Sequence, residues 1–241
     1  MSVFKNTGLL VLAVVGIASR SNADTIITVP AGLAPGSQYR LAFVTAELYF
    51  AESSNIADYN NDVNTDANTI TALAALGTTW LAIGSTATVN AIDNIGVDSG
   101  APIYDLEGDL VANDAGTEAG GMFSGSLLYP IETTETGAPS ATDAWTGTDP
   151  AGSASPCPLG DVACGGGTAG ARVTYGEIAS DDSWLDDGAS PGNNLAPYYG
   201  ISGILIVSAA PEPSSLGMAI GGAALMCIAR RRYRRATRTN P

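Results

Sequence analysis

Residues 198–207 read YYGISGILIV, and residues 39–45 read YRLAFVT. Both runs are apolar and rich in aromatic and β-branched side chains, the composition that fits a pleated strand. The second run opens the body of the chain and the first closes it. Strands so placed are expected to pair with one another, which would bring the two ends of a single domain together. Residues 46–51 carry no signal that decides whether the opening strand continues.

Between the two strands, Ser54 offers a hydroxyl to the free N–H groups of a helical first turn. Ile56, Tyr59, Val63, Ala67, Ile70 and Ala74 then recur at three- and four-residue steps, the repeat that collects side chains on one helix face. Leu73 and Leu76 widen the stripe, and Gly77 supplies its stop. After this helix the pattern changes to short β-prone pieces between turn residues. They are residues 80–83 (WLAI), and residues 102–106 (PIYDL) followed by Leu110 and Val111 beyond Gly108. Residues 122–125 (MFSG) and 145–148 (WTGT) are compact aromatic-plus-glycine signatures. Residues 149–170 are dominated by Pro, Gly, Ala and Ser and are expected to form a long loop. One helix followed by short strands predicts an α+β domain.

The order of these pieces carries a resemblance. Trp80-Leu81-Ala82 with Ser85, then the run from Pro102 to Leu110 (PIYDLEGDL), then Met122 to Ser126 (MFSGS), then Trp145 to Gly152 (WTGTDPAG) resembles the endostatin-like branch of the C-type-lectin-like fold. The likeness spans residues 72–152, with the two long strands where that fold's pairing terminal strands would lie. It implies one lectin-like domain over residues 38–210, behind a lead-in at 24–37. That domain would have one main N-terminal helix, short antiparallel strands and long loops. The ligand chemistry does not transfer with the scaffold. Zinc in endostatin-like domains is held by histidine, and this chain has none. The calcium-dependent sugar site of C-type lectins is marked by Glu-Pro-Asn or Gln-Pro-Asp and by Trp-Asn-Asp. Here Glu212-Pro213 lies beyond the domain, and Trp184 is followed by Leu185-Asp186.

Both flanks read as processing signals. Met1 to Lys5 is a short basic start, residues 8–18 (GLLVLAVVGIA) form an apolar core, and Ser21-Asn22-Ala23 supplies the small residues that a signal peptidase reads. Residues 1–23 are therefore expected to be a signal peptide cut between Ala23 and Asp24. At the other end come Pro211-Glu212-Pro213, an expected apolar helix over residues 214–229, and an arginine-rich tail over 230–241 containing Arg230, Arg231, Arg232, Arg234 and Arg235. Prolines end the preceding fold, the apolar run can enter a bilayer, and guanidinium groups resist crossing it. The three parts in this order resemble the PEP-CTERM sorting signal of Gram-negative bacteria that make exopolysaccharide. The resemblance implies an exosortase-type membrane protease as partner, transient anchoring in the inner membrane, and release to the cell surface or extracellular matrix. A permanent anchor is the alternative. The apolar core at 216–229 (LGMAIGGAALMCIA) is shorter than the ~20 residues a stable span needs, which favours a segment that is cut.

Between the flanks the charge is one-sided. All 24 acidic residues fall between Asp24 and Glu212, against Arg40 and Arg172 alone, a balance of −22. Such a body excludes nucleic acid and anionic membrane surfaces as partners, since both need cationic patches. It is repelled by acidic polysaccharide unless divalent cations bridge the two, so calcium is the cofactor to consider, and plain solvation is the alternative. Cys157 and Cys164 are the only cysteines of the body, and an oxidising compartment would let them close a small loop.

Three acidic groups are candidates for chemistry. Asp181, Asp182, Asp186 and Asp187 flank Trp184 in an expected surface loop and could hold calcium beside an aromatic ring that stacks on sugar. Trp145 is the second candidate ligand contact. Asp58, Asp62 and Asp66 are expected on one solvated face of the helix, because Ala67 occupies the glycine position of a calcium loop. Asp105, Glu107 and Asp109 alternate through a turn, where acid–base hydrolysis would need paired carboxylates and an exposed turn needs nothing further. GxGxxG at 165–170 follows no strand and reads as loop composition. Without histidine, neither a Ser-His-Asp triad nor a histidine zinc site can be built. The expectation is a noncatalytic exported surface or matrix protein that binds glycan or protein through loops, or a structural component of an exopolysaccharide matrix. A carboxylate-dependent hydrolase is the remaining alternative.

Overall fold

The computed structural model of the chain describes residues 25–97, 100–165 and 171–208. The expected signal peptide up to Ala23 with Asp24, the glycine-rich run at 166–170 and everything from 209 onward lie outside them. That excludes Pro211, Glu212, Pro213, the apolar segment and its arginines from structural description.

The fold is α+β. The opening strand, β1 (Gln38–Val44), is central and buried along nearly its whole length. β8 (Tyr199–Ser202) and β9 (Leu205–Ile206) both run antiparallel to it, in the registers Phe43↔Gly200 and Tyr39↔Leu205. The closing run is thus two strands, separated at Gly203-Ile204. Ser202 fills the gap, because its hydroxyl accepts the Leu41 N–H at 2.9 Å. The buried Arg40 side chain also reaches it, donating from Nε to the Ser202 carbonyl at 2.7 Å.

β2 (Trp80–Ala82) borders β8, while β3 (Ile103–Tyr104) and β4 (Leu110–Ala112) continue the sheet on the far side of β1, giving the order β2-β8-β1-β3-β4. β1 and β3 pair in parallel, a departure from the all-antiparallel expectation that the chain accommodates by crossing over through its helices. A second antiparallel sheet, in the order β5-β6-β7, is made by β5 (Ala144–Trp145), β6 (Arg172–Gly176) and β7 (Gly188–Pro191). β6 and β7 had no place in the sequence reading.

The main helix, α1 (Ile56–Thr69), is capped by Asn55, whose side chain accepts the Ala57 N–H, and not by Ser54. It stops at Ile70, which is extended (φ −92°, ψ 114°), and the apolar stripe continues on the single turn α2 (Thr71–Ala74). Thr69, Ile70 and Thr71 form a β-branched run, and the Thr69 hydroxyl donates to the Asp66 carbonyl, so side chains here compete with the helix for backbone partners.

Tyr59, Val63 and Ala67 of α1 pack with Leu41, Phe43 and Trp80 on one face of the sheet. Gly200 permits the close approach, since a Cβ there would lie 2.7 Å from both Phe43 Cζ and Val63 Cγ1. The opposite face carries Ala42, Val44, Ile103, Val111, Phe123, Trp184 and Ile201. A sheet covered on both sides explains why β1 reads as a continuous apolar run instead of an alternating one. On the second face, α3 (Ala91–Ile95) ends beneath Arg40, whose guanidinium donates to the carbonyls of Ile95 (2.9 Å) and Gly96 (3.3 Å). A cation at a helix C-terminus is favourably placed for those unpaired carbonyls.

Candidate functional site

The acidic segment around Trp184 is a short 3-10 helix (Asp182–Trp184) capped by Asp181, whose carboxylate accepts the Ser183 N–H and hydroxyl. These bonds hold the Asp181 carboxyl below its ordinary range. Asp181, Asp182, Asp186 and Asp187 are all exposed, and no three of them bring carboxylate oxygens within 4.8 Å of one another. Trp184 points the other way. It is fully buried, 6.4 Å from the Phe123 ring and 5.7 Å from that of Tyr199. The expectation of an exposed tryptophan ringed by convergent acids is therefore corrected: one turn puts the indole in the core and fans the carboxylates into solvent.

Trp145 is likewise a core residue, 2% exposed, with Nε1 donating to the Tyr49 carbonyl at 3.1 Å. It forms the floor side of a hollow of about 440 Å³ between β5, β6 and the segment before β8. The side chains that open into the hollow are Tyr175, Asp143, Ser190, Asn194, Leu48 and Leu195. Leu48 and Leu195 are 46% and 55% exposed, an apolar rim brought together by the bridge between Tyr49 and Ala196. Burial, followed by the nearby charges of Asp187 and Glu177, pushes the Asp143 carboxyl up. Tyr175, edge-on to Trp145, is raised first by burial and then by Asp187 and Asp143. An aromatic face, two neutral polar groups, an acid and two leucines give the hollow the chemistry that suits a neutral, partly apolar molecule. Sequence reasoning missed Tyr175 because β6 is five residues long and shows only the pair Val173 and Tyr175 in alternation.

The helix acids also divide. Asp58 is exposed, but Asp66 is buried and accepts the Tyr49 hydroxyl on both carboxylate oxygens at 2.8 Å. Burial leads in pushing its carboxyl up, opposed by the Tyr49 bond. The solvated-face expectation fails for Asp66 because Tyr49, stacked on Tyr198, reaches back over the last turns of α1.

Asp105 is the larger surprise. The expected exposed turn joins β3 to β4, but its first carboxylate is 0% exposed. Asp105 Oδ1 accepts the N–H groups of Glu107 (3.0 Å) and Asp109 (2.8 Å). Gly108 closes the turn at φ +92°, a conformation that glycine adopts without strain. Oδ2 is enclosed and has no hydrogen-bond partner. Desolvation is the main cause that pushes this carboxyl up to about 6, partly offset by the two N–H bonds. Oxygens of Asp105, Glu107 and Asp109 lie within 4.8 Å of one another, the only such trio among the described residues.

Cys157 and Cys164 are joined, with Cα atoms 5.2 Å apart. The bridged loop hangs on β6 through bonds from Thr174 N–H to the Cys157 carbonyl and from Arg172 N–H to the Cys164 carbonyl. The surrounding stretch is less peripheral than its composition implied, since Leu159 is buried in the core. No helix among the described residues is long and apolar enough to cross a membrane.

Among known proteins, no family model matches the chain and no curated protein does.

Proposed function

We propose that this chain is a noncatalytic protein, exported by residues 1–23, sorted by a PEP-CTERM tail and displayed at the cell surface or in the extracellular matrix. The observation that carries the reading is where the fold closes. Val207 is tied to Ser37 and Gly36 by hydrogen bonds of 2.9 and 2.8 Å, so the described sheet is already closed ahead of Pro211. Cutting near Pro211-Glu212-Pro213 would then leave every described core residue in the released part. The Cys157–Cys164 bridge supports an oxidising destination. The pairing of the first strand with the last supports the endostatin-like, C-type-lectin-like reading of the body.

Mass spectrometry of the released protein tests the sorting step. A C-terminus near Pro211 is expected, and an intact arginine tail on released protein overturns the proposal. Within this reading the hollow over Tyr175 binds a glycan. Its half-buried ring offers a stacking face, while Ser190, Asn194 and Asp143 offer partners for sugar hydroxyls. A glycan array run with and without calcium checks this. Retention in neither condition leaves the structural-matrix role, for which the −22 balance of the body is the supporting observation.

A further inference from the structure

The turn between β3 and β4 has a feature that glycan display does not use. Asp105 spends Oδ1 on two backbone N–H groups and leaves Oδ2 enclosed and unpartnered. Leaving a buried carboxylate oxygen unpaired is costly, and native structures satisfy nearly all such atoms. The carboxylates of Glu107 and Asp109, each with an oxygen within 4.8 Å of one of Asp105, bring more negative charge and no proton donor at neutral pH. Tyr129 stands close enough for Asp105 and Asp109 to disfavour its ionisation, but its hydroxyl is committed to Glu132 at 3.0 Å.

We propose that Asp105, Glu107 and Asp109 form a calcium site, with Asp105 as its buried member and Asp109 at its open side. Ligand oxygens around calcium lie at ~2.3–2.6 Å, so two on opposite sides of the ion are up to ~5 Å apart. The three carboxylate oxygens, all within 4.8 Å, fit on one such sphere. Asp109 is exposed, which gives the ion an entry path, and water completes a shell of six to eight oxygens. Magnesium fits less well, because it demands near-octahedral geometry at shorter distances and gives up water reluctantly. The site is separate from Asp181, Asp182, Asp186 and Asp187, whose carboxylates do not converge.

Its place in the fold gives calcium a structural effect. Ile27 N–H donates to the Leu106 carbonyl inside the turn at 2.8 Å, so an ion here would fasten the lead-in segment, the β3–β4 hairpin and, through β3, the central strand. Calorimetric titration of the full chain with calcium chloride tests the proposal. One saturable site per chain is expected, with a rise in melting temperature at saturating calcium. Glu107→Gln and Asp109→Asn, which leave the Asp105 backbone bonds intact, should each weaken binding about tenfold or more. Asp105→Asn should abolish it, and the other two variants decide the matter if that protein does not fold. An Asp181→Asn/Asp187→Asn protein should bind as the parent does. Absence of a saturable site, or binding unchanged in both Glu107→Gln and Asp109→Asn, overturns the proposal.

Discussion

Val207 and Ser37 hold the two ends of the fold together: the Val207 N–H donates to the Ser37 carbonyl at 2.9 Å, beside the return bond from Gly36 N–H to the Val207 carbonyl at 2.8 Å. The chain just before this clasp pairs with β1 through Leu205 and Ile206. A protein ending at residue 210 should therefore melt at the same temperature as the longer chain. One ending at Ser202 should melt lower, because it loses β9 and uncovers Tyr39. Circular dichroism melts of the two truncations check this, and equal losses in both would refute it.

Gly200 is fixed by contact and not by backbone conformation. Its missing Cβ would lie 2.7 Å from both Phe43 Cζ and Val63 Cγ1, and both neighbours are fully buried. Gly200→Ala should therefore cost about 1–3 kcal/mol through overpacking. Val63→Ala makes room on one side only, so the double variant should be less destabilised than the two single losses added together. Urea unfolding of the four proteins measures that coupling. Strict additivity would mean that the helix does not rest on this glycine.

The pH dependence follows from Asp66 and Glu135. Burial is the leading cause that pushes each carboxyl up, and neighbouring acids add to it. The opposing bonds come from the Tyr49 hydroxyl and the Ala46 N–H. A folded-state value raised above the unfolded one means that the folded protein holds more protons between the two values. The resulting stability is complete below the ordinary carboxylate range and disappears as pH rises through the raised values. Melting temperature should thus fall as pH rises above the ordinary carboxylate range, and relief of the −22 charge on acidification acts in the same direction. Glu135→Gln should flatten the slope. A melting temperature that climbs steadily toward pH 7 would contradict the assignment.

The disulfide closes a short loop, with seven positions separating Cys157 from Cys164. Loop-closure entropy for so short a ring is worth about 2 kcal/mol. Both ends of the loop are also tied to β6 by backbone bonds. A Cys157→Ser/Cys164→Ser protein should fold and show about that loss in urea unfolding, and reducing agent should bring the parent to the same curve. Failure to fold would mean that the bridge organises β6 and does more than staple a loop.

The opening and closing strands were legible because nearly every residue of YRLAFVT and YYGISGILIV is apolar or aromatic, as a two-face core demands. The helix was legible from its stripe, but its break at Ile70 was not, since no glycine or proline marks it, only the β-branched run from Thr69 to Thr71. β6 and β7 were missed because their apolar content is small and the segment that joins them carries no hairpin turn signal. The acidic segments were misread in both directions. Composition places carboxylates in solvent, which holds for Asp181 and Asp187, but Asp66 and Asp105 are buried through contacts with Tyr49 and with their own turn. Which face of a short element a tryptophan takes was likewise undecided by sequence, and Trp184 takes the core.

Trp145 and Tyr175, edge-on with ring centroids 6.5 Å apart, allow binding and stability to be separated at the hollow. Trp145 is 2% exposed and donates to the Tyr49 carbonyl, so Trp145→Ala should cost about 3–5 kcal/mol and damage the whole domain. Tyr175 is only half-buried and offers the hollow its ring. Tyr175→Ala should leave most of the stability in place and remove glycan retention, while Tyr175→Phe, which keeps the stacking face, should preserve it. Retention on the array together with unfolding curves for the three proteins makes the comparison. If Tyr175→Ala binds as the parent does, the hollow is a fold feature and recognition must lie on another surface.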